Sequence, residues 1–303
     1  MPLCLLTPNM QNRRIIDDLL RGAGGASLPT LESKTPMVVM AAATSSVTER
    51  SPYIVRTSFT LPQVTVGVAE WAHKNKLKKF VTLVSDYGPG IDAEKTFKER
   101  VQLNGGQIVA ELRVPVANPD FAPFLQRVRD AQPEALFVFV PSGVGSAFMK
   151  QFAERGLDKA GIKLIATGDL VDDDILNNMG DVALGVVSSH HYSAAHPSAM
   201  NKKFVEAFAK ANGGMRPNFF AVSGYDGMRV IMEGLKASKG AGGDALLAAM
   251  KGQVFESPRG EVLIDAQTRD IVQDVYVRKV ERVGGLLAAL PGITHTQVQV
   301  TWT

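Results

Sequence analysis

The residues best suited to chemistry here are small and polar rather than reactive. The turn Ala41-Ala42-Ala43-Thr44-Ser45-Ser46 follows the apolar run 37–40. Small side chains let its backbone N–H groups come close to a ligand. Two hydroxyls and several amides at the C-terminal end of a strand make an anion cradle; the plain alternative is an ordinary strand-to-loop transition. Three further positions stand at the ends of apolar runs: Tyr87 in Asp86-Tyr87-Gly88, Ser142 after ALFVFV and Asp169 after LIATG. Asp169 would equally serve as an N-cap, because a short carboxylate accepts from the first free N–H groups of a helix. His190-His191 invites a metal reading. Adjacent residues on a strand point to opposite faces, so such a pair rarely shares one ion.

Enzyme signatures are missing from the sequence. There is no G-x-S-x-G elbow, no H-E-x-x-H and no P-loop lysine motif. Gly88-Pro89-Gly90 is no dinucleotide fingerprint, since a proline sits inside it and the third glycine is absent. The lone cysteine, Cys4, excludes an intramolecular disulfide and a cysteine-cluster metal site. No cofactor is expected. A net charge of +3 over 303 residues, without a basic run interleaved with aromatics, argues against nucleic acid. No apolar run approaches the ~20 residues a membrane helix needs. MPLCLLTPNM lacks the basic and long apolar regions of a signal peptide.

The elements that must position these residues alternate. From residue 37 the hydrophobic pattern predicts strands at 37–42, 79–85, 108–114, 135–140, 163–166 and 182–188. Helices are predicted at 64–74, 91–103, 121–131 with Asp120 as a cap, 145–155 and 173–179. Near-continuous apolar strands between amphipathic helices imply a parallel sheet covered on both faces. After His196-Pro197 the pattern turns to helices at 198–211, 219–236 and 244–250, then extended segments near 261–264 and 272–280.

The ordered motifs KTPMVVMAAATSS, SPYIVRTSF, VSDYGPG, FVFVPSG, LIATGD and RPNFFAVSGYDGM, spread from residue 28 to 280, resemble the type I periplasmic solute-binding proteins of the leucine/isoleucine/valine-binding branch. The resemblance implies an α/β fold of two lobes joined by three crossover strands, with parallel sheets flanked by helices. It also implies a small solute bound in the interlobe cleft by hinge closure. The expected division is 1–60 as a partial first lobe, 61–195 as the second lobe, and 196–303 as the return to the first. Family members carry a much longer segment ahead of the equivalent of Met37. Only 36 residues precede it here, and GITHTQVQVTWT is unfamiliar, so the first lobe is expected to be incomplete.

The same resemblance implies roles. Ala42, Ala43 and Thr44 would contact the ligand through backbone groups and the threonine hydroxyl, with Ser45 as a further donor. Tyr87 would form the second lobe's aromatic wall, and Ser142 and Phe219 would face the cleft. In amino-acid-binding members an acidic residue at the place of Asp169 pairs with the ligand ammonium; if Asp169 caps a helix instead, a plain carboxylate suffices. The implied function is binding of a branched-chain or apolar amino acid, or an aromatic or related carboxylate, for delivery to the membrane subunits of an ABC importer in the periplasm. A ligand-sensing regulatory protein with the same fold is the alternative.

Overall fold

The structure is a computed structural model that describes residues 33–283 and 286–297. Cys4 and the rest of the N-terminal segment, and the last residues of the C-terminal run, lie outside the described residues. The chain divides into two compact units. The first holds the residues up to Phe59, Ser223–Phe255 and Val262–Val272; the second holds Thr60–Val222, Glu256–Glu261 and the chain from Gln273 onward.

In the second unit β3 (Lys79–Ser85), β4 (Gln107–Val114), β5 (Ala135–Phe139), β6 (Lys163–Thr167) and β7 (Val187–His190) run parallel, joined by β11 (Asp274–Val283) and β12 (Leu286–Gln297). The order is β12-β11-β7-β6-β5-β3-β4, and β11 is antiparallel to both of its neighbours. This is the mainly parallel α/β sheet that the apolar runs require. The run 79–85 forms one strand over its whole length because every side chain after Lys79 is buried.

Strand alternation assigns the helices to faces. Phe80 and Phe137 share one face, where Phe97 of α2 (Gly88–Leu103) stacks on Phe137 at 4.1 Å and 3° and meets Phe80 edge-on at 5.4 Å. Val81, Leu83, Leu136 and Val138 look to the other face. There they join Leu125 and Val128 of α3 (Ala122–Ala131) and Phe148 and Phe152 of α4 (Ser142–Glu154) in one core. The helix α1 (Leu61–Lys74) starts three residues earlier than its periodicity suggests. Thr60 accepts from Gln63 N while Gln63 Oε1 accepts from Thr60 N, a capping box that fixes the start.

Three local expectations are corrected. The helix expected at 173–179 is a turn followed by one short 3-10 segment, Leu176–Asn178, because consecutive carboxylates at Asp172, Asp173 and Asp174 bond elsewhere. The strand expected at 182–188 begins only at Val187, after a 3-10 turn at Gly180–Ala183. The N-cap position of α3 is Phe121; Asp120 instead accepts from Ala122 N at 3.0 Å. The chain groups with the second unit as far as Val222, and again from Gln273, where β11 pairs Tyr276 with His190 and Arg278 with Ser188.

The first unit contains β1 (Met37–Val39) and β2 (Ile54–Arg56), a parallel pair. Val55 packs with Val230 of α6 (Phe219–Ala237) and with Leu246 and Met250 of α7 (Gly243–Met250). Between β1 and β2 lies a 3-10 turn, Ser45–Arg50. The strands β8 (Val254–Ser257), β9 (Gly260–Ile264) and β10 (Ile271–Val272) form a small sheet in the order β10-β9-β8. In the second unit the helix α5 (Ala199–Ala211) is capped by Ser198, whose hydroxyl accepts from Asn201 N. Among the described residues no helix is long and apolar enough to cross a membrane.

Candidate ligand-binding site

In the first unit the small-residue turn is held from beneath. Arg56 is completely buried at the end of β2. Its Nη2 donates to Thr44 O at 2.8 Å and Ser45 O at 3.2 Å, and its Nη1 to Phe59 O at 3.1 Å. Ser58 Oγ donates to Ala42 O at 3.1 Å. The carbonyls of Ala42, Thr44 and Ser45 are therefore turned toward the protein. Ala43 is buried, while Ala42 and Thr44 keep exposed surface. Asp270 supports the clamp, with Oδ1 2.9 Å from Arg56 Nε and Oδ2 accepting from Thr48 Oγ1 at 3.1 Å. Burial pushes the Asp270 carboxyl up, and Arg56 opposes that shift.

In the second unit the expected positions cluster at the carboxyl ends of the parallel strands, where open α/β sheets bind ligands. Tyr87 stands at the N-cap position of α2. Its ring stacks on Phe139 at 6.0 Å and 21°. Gly90 permits this tight entry, since a Cβ there would collide with Ser85 O. Burial and the nearby Asp169 carboxylate both raise the Tyr87 phenol above its ordinary range. Ser142 is the first residue of α4, half-buried just beyond β5.

Asp169 does not act as the N-cap. It lies in the first turn of the 3-10 segment Gly168–Val171, whose N-cap position is Thr167. Thr167 Oγ1 donates to Asp169 Oδ2 at 2.8 Å, and His190 Nε2 stands 3.6 Å from the same oxygen. His191 N donates to His190 Nδ1 at 3.0 Å, which makes Nδ1 the acceptor and leaves the ring proton on Nε2, facing Asp169. Burial lowers the His190 pKa and keeps the ring neutral. Gly168 makes this packing possible, because a Cβ would lie 2.5 Å from His190 Cδ2 and run into Arg278.

Phe219, the first residue of α6, is buried, with its ring 4.5 Å from that of His190 at 32°. It backs the wall rather than presenting a broad exposed face. His190 ends β7, so strand alternation stops there, and the His190 and His191 rings lie 4.5 Å apart instead of on opposite faces. Among the described residues no group of three or more His, Cys, Asp or Glu side chains is placed to hold a metal ion.

Sequence reasoning missed Arg56, Thr167, His190 and Arg278 as parts of this arrangement. The available signal was a charged residue inside an apolar strand, as in IVRTSF and VYVRKV. A fully buried guanidinium needs acceptors, and for Arg56 those acceptors are the turn's carbonyls and Asp270.

Known proteins show the same architecture. A solute-binding protein of an ABC transporter from Rhodopseudomonas palustris BisB5, solved with 3,4-dihydroxybenzoic acid, is 54% identical with a TM-score of 0.89, over 95% of this chain and 83% of that one. Its counterpart from R. palustris HaA2, solved with p-hydroxybenzoic acid, is 38% identical with a TM-score of 0.89, over 98% of this chain and 85% of that one. A Leu/Ile/Val-binding protein homolog 6 from Brucella abortus (strain 2308) is 43% identical over 254 residues, 83% of this chain. The chain spans 65% of the length of that curated relative. The periplasmic binding protein family model matches residues 14–285. With the mainly parallel sheet and its strand-end residues, that match means the chain belongs to the periplasmic binding protein family.

Proposed function

We propose that this chain binds a small aromatic carboxylate and hands it to the membrane subunits of an ABC importer, in the periplasm. The work is binding and release, without bond chemistry. The observation that carries the reading is the wall of the second unit, where the Tyr87 ring lies on Phe139 at the strand ends that also bear Asp169. An aromatic wall rewards a flat ring, since offset stacking adds about 0.5–1.5 kcal/mol beyond area burial. In this reading Ser142 borders the ring.

Two relatives at 54% and 38% identity were solved with hydroxylated benzoic acids, which supports this ligand class. A branched-chain amino acid is the second reading, favoured by the name of the 43% identical relative and by the acidic side chain of Asp169. A thermal-shift panel separates the two. A ligand that binds only the folded state raises Tm by mass action. Benzoate-type acids are expected to raise Tm, and leucine, isoleucine and valine are not; the reverse pattern would replace this proposal with the second reading.

A further inference from the structure

In the second unit the hairpin β11–β12 carries an open apolar face. Gly67 of α1 lies against Ser189 and Val275, which puts α1 on one face of the sheet. Ser189 pairs with Val277, and Val187 with Lys279. By strand alternation Val277, Lys279, Glu281 and Val283 look to the α1 face. So do Leu290, Ala288 and Leu286, the β12 partners of Lys279, Glu281 and Val283. α1 ends at Lys74, and the turn end of this face stays open: Val283 is 50% exposed and Leu286 58%. The same face borders a groove of about 830 Å³, whose lining includes Trp71, Val277, Lys279 and Leu290. Lys163 and Val187, the first residues of β6 and β7, line it too. It therefore stands at the opposite end of the sheet from Tyr87, Ser142 and Asp169.

Two observations narrow what covers this face. The outer edge of β12 is closed near the turn. Leu287 N donates to Asn177 Oδ1 and Leu287 O accepts from Arg216 Nη1, both at 2.8 Å, and Ala289 O accepts from Ser193 Oγ at 2.7 Å. Another strand cannot add to that stretch of edge, so the face is what remains for a partner. The row along β11 then reads apolar, positive, negative, apolar: Val277, Lys279, Glu281, Val283. Lys279 Nζ lies 3.1 Å from Glu281 Oε1. A twofold axis at Val280 sets Lys279 against the partner's Glu281, and Val283 against the partner's Val277, in the groove that Trp71 lines. The row is complementary to its own reverse, so a second copy satisfies both halves of the contact at once.

We propose that the α1 face of the β11–β12 hairpin is a twofold self-association surface. Val283 and Leu286 of each copy seat against the groove of the other, and Lys279 and Glu281 pair crosswise. The apolar contacts supply the attraction. The charges fix the register, since exposed pairs contribute little on their own. One hairpin face is small beside the ~1,200–2,000 Å² of a stable complex, so association in the micromolar range is expected. The surface lies away from the strand-end residues, and the inference is independent of the ligand class.

The test is sedimentation velocity of the full chain from ~1 to ~200 µM, a range that brackets micromolar dissociation constants. Expected is a shift from the mass of one chain to that of two as concentration rises. Leu286→Asp should weaken association about tenfold or more, because it puts a charge where an aliphatic side chain is buried. Lys279→Glu and Glu281→Lys should each weaken it alone, since each leaves like charges facing across the axis. An equimolar mixture of those two variants should associate again, because each then meets the opposite charge on the other. A role for the pair within one chain predicts no such recovery. All three side chains are exposed, and circular dichroism checks that each variant is folded; Val283→Asp replaces Leu286→Asp if the latter is not. A single-chain mass across the whole range would overturn the proposal. So would a dimer that persists in Leu286→Asp and in both charge variants, or a mixture that stays monomeric where the unsubstituted chain dimerises.

Discussion

Arg56 Nε lies 2.9 Å from Asp270 Oδ1, which ties the end of β2 to the loop before β10, more than two hundred residues later in the chain. The same guanidinium clamps the carbonyls of Thr44 and Ser45. One buried cation therefore serves both the fold of the first unit and the shape of its small-residue turn. Removing it leaves a largely buried carboxylate without its charge partner and frees the turn's carbonyls. Arg56→Met is expected to lower the unfolding free energy by about 3–5 kcal/mol, the usual effect of breaking a buried pair from one side. Urea denaturation measures this, and Arg56→Met combined with Asp270→Asn should recover part of the loss.

In the proposed reading the Tyr87 ring is the aromatic wall, and its hydroxyl has no assigned role. Tyr87→Ala is expected to weaken aromatic-carboxylate binding about twofold to tenfold, the equivalent of 0.5–1.5 kcal/mol of ring stacking. Tyr87→Phe should bind as the unsubstituted chain does. Calorimetric titration of both variants with 4-hydroxybenzoate checks the pair, and equal weakening in both would transfer the role from ring to hydroxyl.

Gly168 is a packing requirement rather than a matter of backbone freedom. A methyl group there meets the His190 ring and the Arg278 guanidinium. Gly168→Ala is expected to destabilise the fold by about 1–3 kcal/mol through overpacking and to weaken ligand binding by displacing Asp169. Denaturation and titration of the same sample report the two effects separately.

Asp172 gives a pH signature. Burial, with repulsion from Asp174 and Asp173, raises its carboxyl well above 3.8. The folded state then holds this proton more tightly than the unfolded chain does. Between the unfolded value and the raised folded one, stability falls as pH rises; below the unfolded value both states are protonated and the penalty vanishes. Asp172→Asn is expected to exceed the unsubstituted chain in stability near neutral pH and to converge with it in acid. Buried His190 and His191 act oppositely, since their lowered pKa values make them lose stability as pH drops below 6.5. The difference between variant and unsubstituted chain, followed by denaturation across pH, isolates Asp172.

Much of the second unit was legible in the sequence, for a physical reason. Strands buried on both faces, such as KFVTLVS and ALFVFV, need unbroken apolar runs, and the helices between them carry their own stops, such as Asn104-Gly105-Gly106. Where polar side chains decide the backbone, the pattern misled. Asp172, Asp173 and Asp174 lie in a stretch with helical spacing, yet their partners are Asp173 N, Arg216 and Asn218, and the segment becomes a turn and one 3-10 segment. The strand Leu286–Gln297 was also missed, because Gly292 and Pro291 interrupt its apolar alternation. Of the candidate site, the positions Tyr87, Ser142 and Asp169 were legible as residues just beyond strand ends. The supports around Asp169 were not, since His190 reaches it and Arg278 packs against neighbouring Gly168 across sequence separations that no local spacing encodes.

The measurement that tests the central claim most directly is titration calorimetry of the purified chain with 3,4-dihydroxybenzoate and, on the same preparation, with L-leucine. The account predicts saturable binding of the dihydroxybenzoate and no heat of binding from leucine. Saturable binding of leucine with none from the aromatic acid would contradict it.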